Sequence, residues 1–93
     1  MKKNLEPKKL SNFTKRVQEV VRKIPKGKMM TYGEVATKAG SAGASRAVGS
    51  IMAKNFDPTI PCHRVIRSDG KIGSYNRGGP AAKRKLLEAE GAL

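Results

Sequence analysis

From Phe13 onward the apolar positions fall into helical and extended patterns punctuated by glycine and proline. Phe13, Val17, Val20, Val21 and Ile24 recur at spacings of 4, 3, 1 and 3, which puts them on one face of a helix. Ser11 stands where an N-cap belongs, and Pro25 with Gly27 ends the element. A second helix is predicted from Thr31, because Thr31 and Glu34 have the spacing of a capping box. It runs to about Lys38 with Val35, Ala36 and Ala39 apolar, and Gly40 is a natural stop. After the turn over 40–44, Ser45 is placed to cap a third helix. There Val48, Ile51 and Met52 form the buried stripe, while Arg46, Ser50 and Lys54 project elsewhere. The small residues Ala47 and Gly49 permit close approach to a groove, or equally serve packing.

The segment from Asn55 to Pro61 carries Pro58 and Pro61 and cannot be helical. Val65 and Ile66 predict a short strand, and Ser68 to Lys71 a hairpin turn with Asp69-Gly70 at its tip, returning from Ile72 to Tyr75. Pro80 stands at the first position of a fourth helix, with Ala82, Leu86, Leu87 and Ala89 apolar and Gly91 closing it. The order helix, helix, helix, hairpin, helix predicts a mainly α domain over 11–93. Its expected form is a winged helix-turn-helix with a short β-hairpin wing and a loop between recognition helix and wing. Residues 1–10 are basic and aperiodic and read as a flexible tail.

Charge alters this picture most. In 93 residues, 20 Lys+Arg face 7 Asp+Glu, a formal net charge of +13. Such an excess points to a polyanion, and nucleic acid fits better than an anionic membrane because no long basic amphipathic helix stands out. A merely cationic, solvated surface is the plain alternative. The hydrophobic fraction of 38% argues against disorder. No run approaches the roughly 20 apolar residues of a membrane span, and no signal peptide pattern follows the basic N-terminus. We therefore expect a soluble, cytoplasmic protein, nucleoid-associated if prokaryotic, and a monomer without a membrane partner. One Cys and one His rule out an internal disulfide and cannot close a zinc site, so neither metal nor cofactor is expected.

That cysteine and that histidine are adjacent, in Ile60-Pro-Cys-His-Arg-Val65. A thiol gains nucleophilicity as thiolate, which a nearby base or positive charge favours; His63 is the candidate base, with Arg64 and Arg67 adding positive potential. On an extended strand neighbouring side chains point to opposite faces, so the pair cooperates only if the backbone turns or a water bridges them. Pro61 suits a turn. The alternative is a buried cysteine acting as a small hydrophobe beside a surface histidine. Residue types alone leave both readings open.

The run IPCHRV at 60–65 resembles the active-site signature of the methylated-DNA–protein-cysteine methyltransferases, the alkylguanine-DNA alkyltransferases. Further motifs fall in that family's order: TYGEVA at 31–36, SRAVGSIMAKN at 45–55, DGKIGSYNRGG at 69–79 and LLEAEG at 86–91. The resemblance implies that Cys62 takes an alkyl group from the exocyclic oxygen of guanine in duplex DNA, irreversibly and without cofactor. It implies that His63 deprotonates the thiol through a water, that Glu90 orients His63, and that Asn55 ties the helix-turn-helix to the active-site loop. Tyr32 would press on the phosphate beside an extruded nucleotide and assist the leaving guanine. Arg46 would fill the gap in the base stack, and Ser45, Ala47, Gly49, Ser50 and Lys54 complete the DNA-binding face. Pro61, Val65, Ser74, Tyr75 and Gly78 would wall the base, and Arg64 would be structural. Without the resemblance, Glu90 reads as a solvated residue, Tyr32 as a half-buried core aromatic and Arg46 as an ordinary phosphate contact.

Family members commonly carry a further N-terminal domain, which is not expected ahead of this tail; against the family's pattern the segment 55–61 reads as slightly short and Arg77 as an extra residue beside Gly78-Gly79. Two other functions suit so small a chain. Alkyltransferase-like proteins bind alkylated guanine without reacting and signal to excision-repair proteins, but typically replace the cysteine that is present here. A winged-helix regulator would read sequence, for which the small residues of the third helix are poorly equipped.

Overall fold

The computed structural model describes residues 12–93; the expected tail and the Ser11 cap lie outside them. The elements run in the order α1 (Asn12–Arg22), β1 (Met30–Thr31), α2 (Tyr32–Lys38), α3 (Ser45–Ala53), a 3-10 turn (Cys62–Arg64), β2 (Val65–Ile66) and α4 (Gly79–Ala89). No helix among the described residues is long and apolar enough to cross a membrane.

Local chemistry accounts for most of these boundaries. α1 buries Val17 and Val21, one turn apart, and Ile24 beyond its end joins the same core. α2 opens on the expected capping box: the Glu34 amide donates to Thr31 Oγ1 at 3.1 Å, and the Thr31 amide donates to Glu34 Oε1 at 2.8 Å. Its far end is fastened to α1, where Arg16 Nε donates to the Ala39 carbonyl at 2.6 Å. α3 packs on α2 and turns Val48 and Met52 inward. With Val35, Ala36 and Ala39 of α2, and with Ile60, Cys62 and Val65, these residues form one core. Each fully buried valine in it contributes roughly 1.5–3 kcal/mol.

Three expectations are corrected. The hairpin does not form: β2 pairs in parallel with β1, Met30 opposite Val65 and Thr31 opposite Ile66. The turn itself is present, closed by the Gly70 amide on the Arg67 carbonyl and the Arg67 amide on the Lys71 carbonyl, both at 3.0 Å. Beyond Lys71 no second strand forms, and the Ser74 carbonyl is engaged instead by Lys83 from α4 at 3.2 Å. Next, Ser45 is the first residue of α3 rather than its cap; Ala44 holds that place, its carbonyl accepting the Val48 amide at 3.1 Å. Finally, the inward face of α4 is Lys83 and Leu87, four residues apart, while Leu86 is 39% exposed. A lysine thus occupies a core position that hydrophobic patterning assigned elsewhere.

Candidate active site and nucleic-acid face

The 3-10 turn resolves the geometry of the Cys62-His63 pair. Pro61 precedes it, and the Arg64 amide donates back to the Pro61 carbonyl at 2.9 Å. Adjacent side chains therefore leave a tight turn rather than alternate across a strand. Cys62 is 7% exposed and sits in the core cluster. It nevertheless borders a cavity of about 200 Å3 lined also by Tyr32, Gly49, Met52, Ala53, Ser74, Tyr75 and Asn76.

His63 faces away from that cavity toward the end of α4. Its Nε2 lies 2.9 Å from Glu90 Oε2. Arg64 grips the same carboxylate with two donors, Nε to Oε1 at 2.9 Å and Nη2 to Oε2 at 2.8 Å, and donates through Nη1 to the Ile24 carbonyl at 2.8 Å. Glu90 is the C-cap of α4, where the helix dipole disfavours a negative charge. The paired guanidinium offsets that penalty. The position is held by backbone: Gly91 adopts φ +81°, and the Ala92 amide returns to the Leu87 carbonyl at 2.9 Å, a Schellman closure that wants glycine here. Arg64, followed by the His63 hydrogen bond, depresses the Glu90 carboxyl to about 2 against the opposing effect of burial. No hydrogen bond joins Cys62 to His63 among the described residues, so a proton passing between them needs a bridging water.

Lys83 is the residue that sequence reasoning missed. It is 1% exposed; its Nζ donates to the Ser74 carbonyl at 3.2 Å and lies 5.7 Å from the centre of the Tyr32 ring. Burial lowers its ammonium to about 8, and the nearness of Cys62 opposes that shift. Burial raises the Tyr32 hydroxyl, Cys62 pushes it the same way, and Arg67 partly reverses the shift. Tyr75 behaves alike, with Arg77 opposing, and its ring meets His63 edge-on with centroids 6.3 Å apart. One lysine among 20 Lys+Arg carries no flag in a sequence; only its place one turn before Leu87 hinted at burial.

Two asparagines hold the cavity's rim. Asn55, buried just after α3, donates through Nδ2 to the Ile60 carbonyl at 3.2 Å and accepts the Asp57 amide at 3.3 Å. It positions the segment leading to Cys62 and does not line the cavity itself. Asn76, also unforeseen, turns its Nδ2 on the carbonyls of Asn55 at 2.7 Å and Ala53 at 3.0 Å, capping the end of α3. Of the expected walls, Ser74 and Tyr75 line the cavity. Pro61 borders a neighbouring cleft instead, Val65 is wholly buried in the core, and Gly78 is the N-cap of α4. At Gly78 φ is +121° and a Cβ would meet that of Ala82 at 2.8 Å, so backbone geometry explains the glycine.

The outer face of α3 presents Arg46, Ala47, Ser50 and Lys54 to solvent. A Cβ added at Gly49 would meet nothing within 4 Å. Packing inside the chain therefore does not require the glycine, which favours the close-approach reading. A shallow groove beside it is lined by Tyr32, Ser45, Arg46, Gly49, Arg67, Ser68 and Asp69, with Arg67 paired to Asp69 at 2.8 Å. Tyr32 and Gly49 line both this groove and the cavity.

Fold and site together define a small helical domain in which a basic helical face opens onto a single cysteine. Residues 12–92 match the family described as 6-O-methylguanine DNA methyltransferase, DNA binding domain, and the chain belongs to that family. It is 48% identical over 81 residues to the methylated-DNA–protein-cysteine methyltransferase of Methanothermobacter thermautotrophicus, a match covering 87% of this chain and 45% of that protein. The Rattus norvegicus protein of the same name is 49% identical over 82 residues, covering 86% and 39%. The chain thus spans less than half the length of these relatives. Among solved structures, Mycobacterium tuberculosis OGT in complex with DNA superposes with a TM-score of 0.80 at 42% identity, over 88% of this chain and 50% of that one. S. pombe Atl1 in complex with damaged DNA containing O6-carboxymethylguanine gives 0.78 at 34% identity, over 89% and 79%.

Proposed function

We propose that this protein repairs DNA by moving an alkyl group from the exocyclic oxygen of guanine onto Cys62. The observation that carries the reading is the placement of Cys62 at a cavity edge next to His63, whose far nitrogen is locked on the Arg64-bound Glu90. In this reading a water takes the thiol proton and passes it to His63, and Glu90 stabilises the imidazolium that results. The thiolate attacks the alkyl carbon, the S–C bond forms, and the C–O6 bond breaks with its electron pair on guanine. Tyr32, bordering the same cavity, supplies a proton to the departing base. The thioether has no leaving route, so each molecule acts once.

The reacting oxygen lies inside the duplex, so the base must be extruded, at a few kcal/mol. The α2–α3 pair serves as the helix-turn-helix, with Arg46 filling the vacated stack and Ser45, Ala47, Gly49, Ser50 and Lys54 lying along the groove. The partner is duplex DNA bearing alkylated guanine, met by a monomer. A second reading has its own support: S. pombe Atl1, in complex with damaged DNA containing O6-carboxymethylguanine, shares the fold with a TM-score of 0.78 at 34% identity. Under it the protein binds the lesion and signals to excision-repair proteins. Intact mass after mixing with a duplex containing one O6-methylguanine separates the two. A gain of one methyl in place of hydrogen at Cys62 is expected; unchanged mass with retained preference for the damaged duplex overturns the transfer reading.

A further inference from the structure

The β1–β2 ladder pairs Thr31 with Ile66, so Tyr32 and Arg67, the residues that follow, leave it side by side. The 67–71 turn is drawn against α2: a Cβ added at Gly33 would meet Ser68 Oγ at 3.2 Å, tighter than most side chains tolerate. A Cβ at Gly73 would meet Arg67 Cγ at 3.1 Å, so the stem of Arg67 lies along bare backbone. Arg67 thereby lines the shallow groove that Tyr32 and Arg46 also line, and Asp69 is the only acidic residue in that lining. The Asp69 carboxylate is divided. Its Oδ1 accepts the Lys71 amide at 3.0 Å, and its Oδ2 meets Arg67 Nη2 at 2.8 Å. That amide foremost, then the positive charges of Arg67 and Lys71, hold the carboxyl below its usual range.

The Arg67–Asp69 pair is open to water, with side chains 54% and 44% exposed, and such a pair contributes little to stability. The turn does not need it, being closed by the Arg67–Lys71 and Gly70–Arg67 backbone hydrogen bonds and by Asp69 Oδ1. What the pair does is fix a guanidinium fork beside Tyr32 in an otherwise basic groove. That fork fits a phosphate as well as a carboxylate. We propose that Arg67 is a phosphate-binding residue of the duplex face and that Asp69 is its placeholder, holding the guanidinium ready in the free chain and yielding it to a backbone phosphate. The inference rests on the duplex-DNA reading. After the exchange Asp69 faces the phosphate that displaced it, so the carboxylate that positions Arg67 also lowers affinity.

The test is fluorescence anisotropy with a lesion-free duplex over a series of salt concentrations. Arg67→Gln should weaken binding about tenfold and lower the slope of log affinity against log salt by about one, the share of one phosphate contact. Arg67→Lys should keep the parent slope, because the charge remains, and lose about threefold in affinity with the fork. Asp69→Asn retains an acceptor for the Lys71 amide. It should tighten binding about threefold in the parent chain, and less than half of that gain should survive in the Arg67→Gln background. Unchanged affinity and slope in Arg67→Gln overturns the proposal and leaves duplex binding standing. So does a slope in Arg67→Lys as low as in Arg67→Gln, or an equal gain from Asp69→Asn in both backgrounds. Failure of the parent chain to bind the duplex overturns the DNA reading and this inference with it.

Discussion

At the end of α4, Glu90 is met by three donors from His63 and Arg64, and the guanidinium that holds it also reaches the Ile24 carbonyl at the end of α1. Across the cavity, on the outer face of α3, the side chains of Arg46, Ser50 and Lys54 make no hydrogen bond or ion pair among the described residues. The first region is over-determined: removing any member strands a half-buried partner, so stability falls with it. The second is left unfinished, and nothing inside the chain rewards its residue choices. Their purpose, on the proposed reading, is met only when a duplex arrives. Buried polar networks serve orientation here, while an open basic surface serves association.

The sharpest way to break the contrast is Cys62→Ala. Mass transfer should vanish altogether while affinity for the damaged duplex persists, measured by intact mass and by fluorescence anisotropy; residual transfer would remove Cys62 from the chemistry. Arg64→Ala comes next, with an expected loss of about 2 kcal/mol in urea unfolding, because it takes two charge-assisted hydrogen bonds from the half-buried Glu90. The same variant tests linkage. Glu90 is held at about 2, so its contribution is present above the ordinary carboxylate value near 4.5 and is lost as pH falls toward 2. Without Arg64, acid unfolding should begin at higher pH.

Lys83 gives a slope of the same sign in a higher pH window, from a charge that burial disfavours rather than one a partner favours. Its ammonium loses a proton near 8 in the folded chain but near 10.5 when unfolded. Between those values the unfolded chain holds more protons, so stability should rise with pH, by roughly 2 kcal/mol. The raised hydroxyls of Tyr32 and Tyr75 act in the reverse direction only above about pH 10. Lys83→Met should flatten the rise between pH 8 and 10, as read from urea midpoints.

Substitutions on the open face should spare the fold. Arg46→Ala is expected to change stability by less than about 0.5 kcal/mol. It should slow reaction with duplex lesion about tenfold more than reaction with free alkylated base; equal losses on both would discard the intercalation role. The smallest effect is Gly49→Ala, expected to stabilise α3 by about 0.5–1 kcal/mol because the added methyl meets open space. The same methyl should weaken duplex binding. A variant that stabilises without weakening binding would mean that the duplex does not approach α3 closely at that point.

The features legible in the chain itself were those that depend on neighbours a turn away. The Val17-Val21 stripe of α1, the Thr31-Glu34 capping box and Gly91 at the end of α4 are fixed by spacing along one helix, and all three are found where expected. The adjacency of Cys62 and His63 was legible, with residue types leaving its chemistry open, and the family resemblance put Glu90 beside His63, where the structure has it. Its Arg64 clamp was not foreseen, since a positive residue beside a histidine has no sequence mark of its eventual partner 26 residues on. Nor could patterning assign the partner of β2. Two residues can form a hairpin with the adjoining segment or a parallel ladder with one far upstream, and only the packing of α2 and α3 between β1 and β2 brings Met30 opposite Val65. Lys83 and Asn76 are the same lesson at single positions. Each looks solvated when read along the chain, and each is drawn inward because a carbonyl made available by another element needs a donor: Ser74 for the first, Asn55 and Ala53 for the second. Short-range hydrogen bonding and periodicity were determined by sequence alone, whereas long-range polar satisfaction was decided by the tertiary structure, because a buried donor or acceptor must be met by whichever group the fold carries to it.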